Sequence, residues 1–180
     1  MNTTPQQTIY TEKNNCQDCY KCIRRCPVKA IKIEEHRASI MHELCIYCGK
    51  CVQVCPANAK KVRNDISSAR YLVKDTQVVL SLAPSYTSEF TDYSQTQLLE
   101  ALHQLGFMAV SETALAAEKV SDATSEWLAR QDQGVYLSSC CPSVVQYICK
   151  YFPEQKHRLA PVDSPCKPMQ RSCTNTTDLM

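Results

Sequence analysis

The chain has 180 residues, 44% of them hydrophobic and 21% charged, with a formal net charge of +2 and 13 cysteines. That length supports one large domain or two small ones. No apolar run approaches the roughly 20 residues that cross a bilayer, and the polar start from Met1 to Asn15 lacks the apolar stretch of a secretory signal, so a soluble cytoplasmic protein is expected. In a reducing cytosol thiols stay unpaired, and so many cysteines point to metal ligation rather than a disulfide framework.

The charge is divided unevenly. Residues 1–74 hold 13 Lys and Arg against 6 Asp and Glu, a balance of +7, whereas residues 75–180 hold 7 against 12, a balance of −5. The bases of the first part (Lys21, Arg24, Arg25, Lys29, Lys50, Lys60, Lys61) are scattered among cysteines with little aromatic interleaving, so no nucleic-acid partner is expected. They are placed to offset anionic metal clusters instead.

Cys16, Cys19, Cys22 and Cys26, followed by Pro27, recur 29 residues later as Cys45, Cys48, Cys51 and Cys55, followed by Pro56. This is C-x2-C-x2-C-x3-C-P written twice, the run of bacterial two-cluster ferredoxins, and it predicts two 4Fe-4S clusters. Three thiolates two residues apart let a tight loop wrap one cube, while the fourth cysteine points away. By the ferredoxin pattern that fourth cysteine ligates the other cluster. Cys16, Cys19, Cys22 and Cys55 are thus assigned to one cube, and Cys45, Cys48, Cys51 and Cys26 to the second. Zinc sites need neither the third and fourth cysteines of each run nor the trailing proline. Between the runs, Ala30–Ile33 and Ala38–Met41 flank a polar turn and predict an antiparallel hairpin over the clusters.

The second part alternates strand and helix signals. Val78–Ala83 is a short apolar run ending at Pro84, which predicts a buried strand. Ser94 and Gln97 form a capping box, Leu98, Leu99, Leu102 and Leu105 share one face with His103 as a structural neighbour, and Gly106 ends that helix. Phe107–Val110 predicts a second strand, and Ala116, Val120, Ala123 and Trp127 a helical core stripe. Val135–Ser138 predicts a third strand running into Ser139-Cys140-Cys141-Pro142. Pro142 then opens a helix with Val145, Ile148, Cys149 and Phe152 on one face. Cys141 falls at the N-cap, where free N–H groups favour a thiolate, and the residues alone leave the pair as either reactive or metal-binding thiols or buried structural ones. Alternating elements imply a parallel α/β sheet, whose sites lie beyond the carboxyl ends of its strands.

Residues 10–166 resemble the amino-terminal part of iron-only (FeFe) hydrogenases. The resemblance is carried by the double cysteine run, Ser81-Leu82-Ala83-Pro84-Ser85, Gly106-Phe107 with Ser111-Glu112-Thr113, Ser138 to Pro142, Tyr151-Phe152-Pro153 and Leu159 to Pro165. It implies an α+β two-cluster ferredoxin-like module over residues 1–74, followed over 75–165 by an incomplete α/β hydrogenase-like domain. It further implies Cys141 as a ligand of the catalytic H-cluster and Cys140 as a proton relay. Ser143-Val144, where the family usually has Gly-Trp, looks like the regulatory or sensory branch. The family's three further cysteine ligands have no counterpart here, so an H-cluster is expected only in a completed protein. Residues 166–180 are polar, without helical periodicity, and read as an out-of-frame or disordered tail, in which Cys166 and Cys173 fit none of those motifs. Restoring one base after the Pro165 codon permits Met-Gln-Ala-His-Ala-Lys-Ile-Leu, as the family continues.

Three functions follow: an iron-sulfur electron carrier working with a redox partner protein, a hydrogenase if the H-cluster is completed, or a redox- or H2-sensing module docking a signalling or hydrogenase partner. The three glycines form no dinucleotide- or phosphate-binding loop, and the four histidines follow no motif.

Overall fold

The computed structural model describes residues 8–162. The predicted tail, with Cys166 and Cys173, lies outside the described residues. Of the described residues, 8–64 group with Pro142–His157 into one compact unit, and Asp65–Cys141 with 158–162 into another.

The first unit is built from short elements between cysteine loops. Strand β1 (Ile9–Thr11), helix α1 (Lys21–Arg25), strands β2 (Ile31–Glu34) and β3 (Arg37–Ile40), helix α2 (Lys50–Gln53) and strand β4 (Lys60–Val62) follow in order. The expected hairpin is present: β2 and β3 pair antiparallel from Ile31 opposite Ile40 to Glu34 opposite Arg37. Its turn residues Glu35 and His36 have φ of 50° and 58°, the left-handed pair that a two-residue turn requires to match strand twist. Side chains alternate as a half-buried hairpin dictates. Ile31, Ala38 and Ile40 are buried, while Lys32 and Glu34 pair at 2.7 Å on the outer face. Strands β1 and β4 pair antiparallel, setting Thr11 opposite Lys60. The core is thin, consisting of Ile9, Ala30, Ile31, Ala38 and Ile40 around Cys22, Cys26 and Cys51.

The second unit contains α3 (Ile66–Asp75), β5 (Val79–Leu82), α4 (Tyr86–Glu89), α5 (Gln95–Gln104), β6 (Ala109–Glu112) and α6 (Thr113–Leu128). Strands β5 and β6 are parallel, Val79 opposite Ala109 and Leu82 opposite Glu112, so the β5-α5-β6 segment is a parallel crossover unit. The capping box is formed in both directions between Ser94 and Gln97. Gly106 has φ of +100°, and a Cβ there would lie 3.3 Å from that of Val73. This left-handed turn takes up Phe107, so β6 starts two residues later than the apolar run suggests. His103 Nδ1 lies 3.1 Å from the Phe107 carbonyl, a local structural bond. In α6, Ala116 and Val120 are buried, Trp127 is half-buried edge-on to Tyr136 at 5.1 Å, and Ala123 is exposed.

The expected third strand at Val135–Ser138 does not form. Only Leu137 makes a bridge, parallel to Leu159, donating its N–H to the Arg158 carbonyl and accepting from the Ala160 N–H, both at 2.9 Å. Val135 is 68% exposed, so the run lacks the burial that turns an apolar stretch into a sheet strand. Helix α7 (Pro142–Tyr151) begins at Pro142 as expected, and a 3-10 segment over Pro153–Arg158 follows. Among the described residues no helix is long and apolar enough to cross a membrane.

Candidate iron-sulfur site

The internal repeat is expressed in the backbone as well as in the cysteines. Asp18, Tyr20 and Lys29 have φ of 50°, 57° and 54°, and their counterparts 29 residues on, Tyr47, Gly49 and Asn58, have 55°, 72° and 49°. Left-handed residues at matching points fold each Cys-x2-Cys-x2-Cys stretch into a tight loop, and α1 and α2 start directly after Tyr20 and Gly49. The fourth cysteine of each run receives the backbone N–H four residues on: Ala30 to Cys26 Sγ at 3.3 Å and Ala59 to Cys55 Sγ at 3.2 Å. Tyr47 N–H also points at Cys45 Sγ, at 3.4 Å. Donors aimed at sulfur stabilise the thiolate form that a metal requires.

The eight cysteines fall into two sets in space. Cys16, Cys19, Cys22 and Cys55 line one cavity together with Thr11, Ile33, Ala38, Ala59 and Lys60. Cys26, Cys45, Cys48 and Cys51 line another with Ile9, Val28, Ala30, Ile31 and Ile40. Within each set the first-run and second-run cysteines mix as in crossed ligation. Cys22, Cys26 and Cys51 are buried, Cys16, Cys45 and Cys55 half-buried, and Cys19 and Cys48 exposed. Burial pushes the Cys22 and Cys45 thiols up, opposed by Lys60 for Cys22 and by the Tyr47 N–H for Cys45. Cys51 is pushed up to about 11, first by burial. Four soft thiol donors in an apolar lining, with N–H groups turned to the sulfurs, fit an iron-sulfur cluster.

Three residues attend these sets whose places the sequence did not reveal, although Lys60 is among the bases expected to offset the clusters and Tyr151 is part of the Tyr151-Phe152-Pro153 stretch. Lys60, only 2% exposed, donates from Nζ to Thr11 Oγ1 at 2.5 Å and to the Ala38 carbonyl at 2.8 Å. Burial lowers its pKa, and the thiolates of Cys22, Cys51, Cys16 and Cys55 pull it back up. Lys150 of α7 donates to the carbonyls of His42 at 3.0 Å and Cys45 at 2.8 Å, and lies 5.3 Å from the Tyr47 ring centre. Tyr151 OH donates to the Leu44 carbonyl at 2.9 Å and approaches that of Val28 at 3.4 Å. The 29-residue repeat could have exposed Lys60, because its counterpart in the first repeat is the apolar Ile31. No sequence signal pairs Lys150 with Cys45, 105 residues away.

Cys140 and Cys141 are both exposed, line neither of the two cavities and directly precede α7. The Cys140 N–H meets Ser138 Oγ at 3.3 Å, and Ser139 Oγ donates to the Val162 carbonyl at 2.6 Å. Their exposure removes the buried structural reading of the pair. Cys149, on α7, is half-buried.

The paired four-thiol loops define an iron-sulfur electron-transfer module, and a parallel α/β unit with a fold of its own follows it in the chain. Residues 8–70 match the model of a 4Fe-4S dicluster domain, and residues 76–175 match that of the iron only hydrogenase large subunit, C-terminal domain. The second match spans more than half of the chain, which therefore belongs to the iron-only hydrogenase large-subunit family. Among solved structures, the ferredoxin from Thauera aromatica is similar at 28% identity, over 32% of this chain and 78% of that one, with a TM-score of 0.28. Comparison with curated proteins finds no match.

Proposed function

We propose that the chain is an electron carrier with two 4Fe-4S clusters, one held by Cys16, Cys19, Cys22 and Cys55 and the other by Cys26, Cys45, Cys48 and Cys51, serving a redox partner protein. The observation that carries this reading is the division of eight thiols between two cavities, each lined by one complete set of four. When bound, such clusters supply one-electron transfer at potentials between about −700 and +450 mV. The chain's own residues do the rest. Ala30, Ile31, Ala38 and Ile40 keep water away from the sulfurs, and the N–H groups of Ala30, Tyr47 and Ala59 stabilise charge on them. A module with so thin a core also gains its folding energy from metal.

Iron and acid-labile sulfide on chain purified without oxygen test the reading, with about eight irons per chain expected. Crossed ligation has its own test. The double variant Cys16→Ala with Cys55→Ala retains about four irons, whereas Cys16→Ala with Cys26→Ala loses about eight, since it strikes both sets. Loss of both clusters from the first pair refutes the assignment.

A second reading, reversible H2 oxidation in a completed H-cluster, is favoured by one feature. Cys140 and Cys141 immediately precede a helix about 15 Å long whose last turn is bonded to the Cys45 loop. Here Cys141 is a cluster ligand and Cys140 moves protons. About fourteen irons per chain after maturation with the hydrogenase assembly machinery, with hydrogen uptake by an artificial acceptor, establishes this reading over the first. Ser143-Val144 favours a sensory role for the same module, tested by capture of a partner in one redox state only.

A further inference from the structure

The two cysteine repeats match in spacing, in left-handed backbone positions and in the N–H donor to the fourth sulfur. Half-buried Asp18 lines the first cavity where the second repeat has Tyr47, and among the positions buried in both, from the first cysteine of each run onward, the residue type differs at one. After Ala30 and Ala59, which are 1% and 2% exposed, the first repeat places Ile31 inside and the second places Lys60. A lysine this buried costs stability unless an anion answers it. Its two hydrogen-bond acceptors, Thr11 Oγ1 and the Ala38 carbonyl, are neutral, and Thr11 Oγ1 in turn donates to the same carbonyl at 2.7 Å, which fixes the ammonium in place. The thiols around it that become anionic when a metal binds are those of Cys22, Cys51, Cys16 and Cys55. Three of these belong to the first set, and Lys60 lines that set's cavity but not the other.

We infer that Lys60 is an internal countercharge that raises the reduction potential of the cluster held by Cys16, Cys19, Cys22 and Cys55 above that of the second cluster, an inference that rests on the cluster assignment above. Reduction adds one negative charge to a cluster, so a fixed cation beside it stabilises the reduced form more than the oxidised one. Lys21, Arg24, Arg25 and Lys50 are exposed, and solvent and salt screen them. Lys60 is not screened in this way.

The test is a redox titration of the whole chain followed by electron paramagnetic resonance, on wild type, Lys60→Ile, Lys60→Met and the exposed control Lys21→Met. In both Lys60 variants one midpoint falls by at least tenfold in the reduction equilibrium, about 59 mV for one electron, while the other moves less. The change persists at high salt. Lys21→Met gives a smaller change that high salt abolishes. Unchanged midpoints, an equal fall of both, or loss of a cluster in both Lys60 variants overturns the inference, the last because a countercharge that only tunes is not needed for assembly. Iron and sulfide content reads the cluster assignment separately. A wild type without about eight irons fails on that assignment, and eight irons with unmoved midpoints fail on Lys60 alone.

Discussion

Replacing Lys150 by Met tests whether α7 is truly part of the iron-sulfur unit. Lys150 Nζ makes two charge-assisted bonds, to the Cys45 carbonyl at 2.8 Å and the His42 carbonyl at 3.0 Å. A hydrogen bond to a charged group contributes about 1.5–3 kcal/mol. Lys150 is only half-buried, so water replaces part of what is lost, and the low end applies to the pair together: about 1.5–2 kcal/mol. Met retains the aliphatic stem, which isolates the charged head from packing. Tyr151→Phe removes one good bond, at 2.9 Å to the Leu44 carbonyl, and a long one at 3.4 Å, for about 0.5–1.5 kcal/mol. The Tyr147 ring stays against both Tyr151 and Phe152, at 5.6 and 5.3 Å. The readout is amide hydrogen exchange over α7 and the Cys45 loop at constant iron content. A local loss of about 2 kcal/mol speeds exchange roughly 30-fold. Exchange in α7 within about threefold of wild type in Lys150→Met, a difference below about 0.7 kcal/mol, refutes the tether.

Further outcomes follow from other positions. Gly106→Ala places a Cβ 3.3 Å from that of Val73 at a φ of +100°. It costs about 1–3 kcal/mol, read as a lower unfolding midpoint, and an unchanged midpoint rejects the strain argument. Cluster insertion displaces protons from Cys22, Cys45 and Cys51, all of which hold them above the usual thiol range, so iron incorporation falls as pH falls and rises toward mildly alkaline pH. Incorporation independent of pH contradicts those shifts. Alkylation of cluster-loaded chain, mapped by mass spectrometry, modifies exposed Cys140 and Cys141 and spares the eight ligands, although Cys19 and Cys48 are exposed as thiols. Protection of Cys141 at about fourteen irons belongs to the hydrogenase reading instead.

What could be read from the sequence was what spacing along the chain encodes. The two cysteine runs, the hairpin between them and the Ser94 capping box are local, and each involves residues within a few positions of one another. Gly49 announces its left-handed turn, but Tyr20 holds the same conformation at φ of 57° without any residue signal, because the fold of the repeat imposes it. Lys60 reads locally like the surface bases around it, and only alignment of the two repeats, which sets it against Ile31, marks it out. Its burial arises from the pairing of β4 with β1, which sets it opposite Thr11, 49 residues away. The α7 face of Val145, Ile148 and Cys149 was visible as a stripe, but a stripe does not say which core it joins. That is decided by Lys150 and Tyr151 reaching carbonyls between 105 and 123 residues away. The absent third strand is the converse case, since apolar content at Val135–Ser138 without a sheet to bury it yields only one bridge.

The repeat also explains why charge, rather than ligand geometry, distinguishes the two halves of the module. Both runs supply the same number of thiols at the same spacing, the same left-handed turns and the same N–H donor to the fourth sulfur. A pair built so alike would hold an electron with nearly equal affinity at either cluster, and nothing in the module would bias its position. The departures from symmetry are charges: half-buried Asp18 in the first loop where the second has Tyr47, and two cations. Lys60 lies inside, beside the first set, and Lys150 reaches in from α7 to the backbone of the second. Charge on the buried lysine acts through protein, whereas charge on the half-buried one is partly screened by water, so the two do not cancel. Under the proposed assignment the first cluster is reduced first, and the second, adjoining the helix that begins after Cys141, is left to exchange its electron next. Neutralising Lys60 and Lys150 together should therefore bring the two midpoints closer than neutralising Lys150 alone, which widens them.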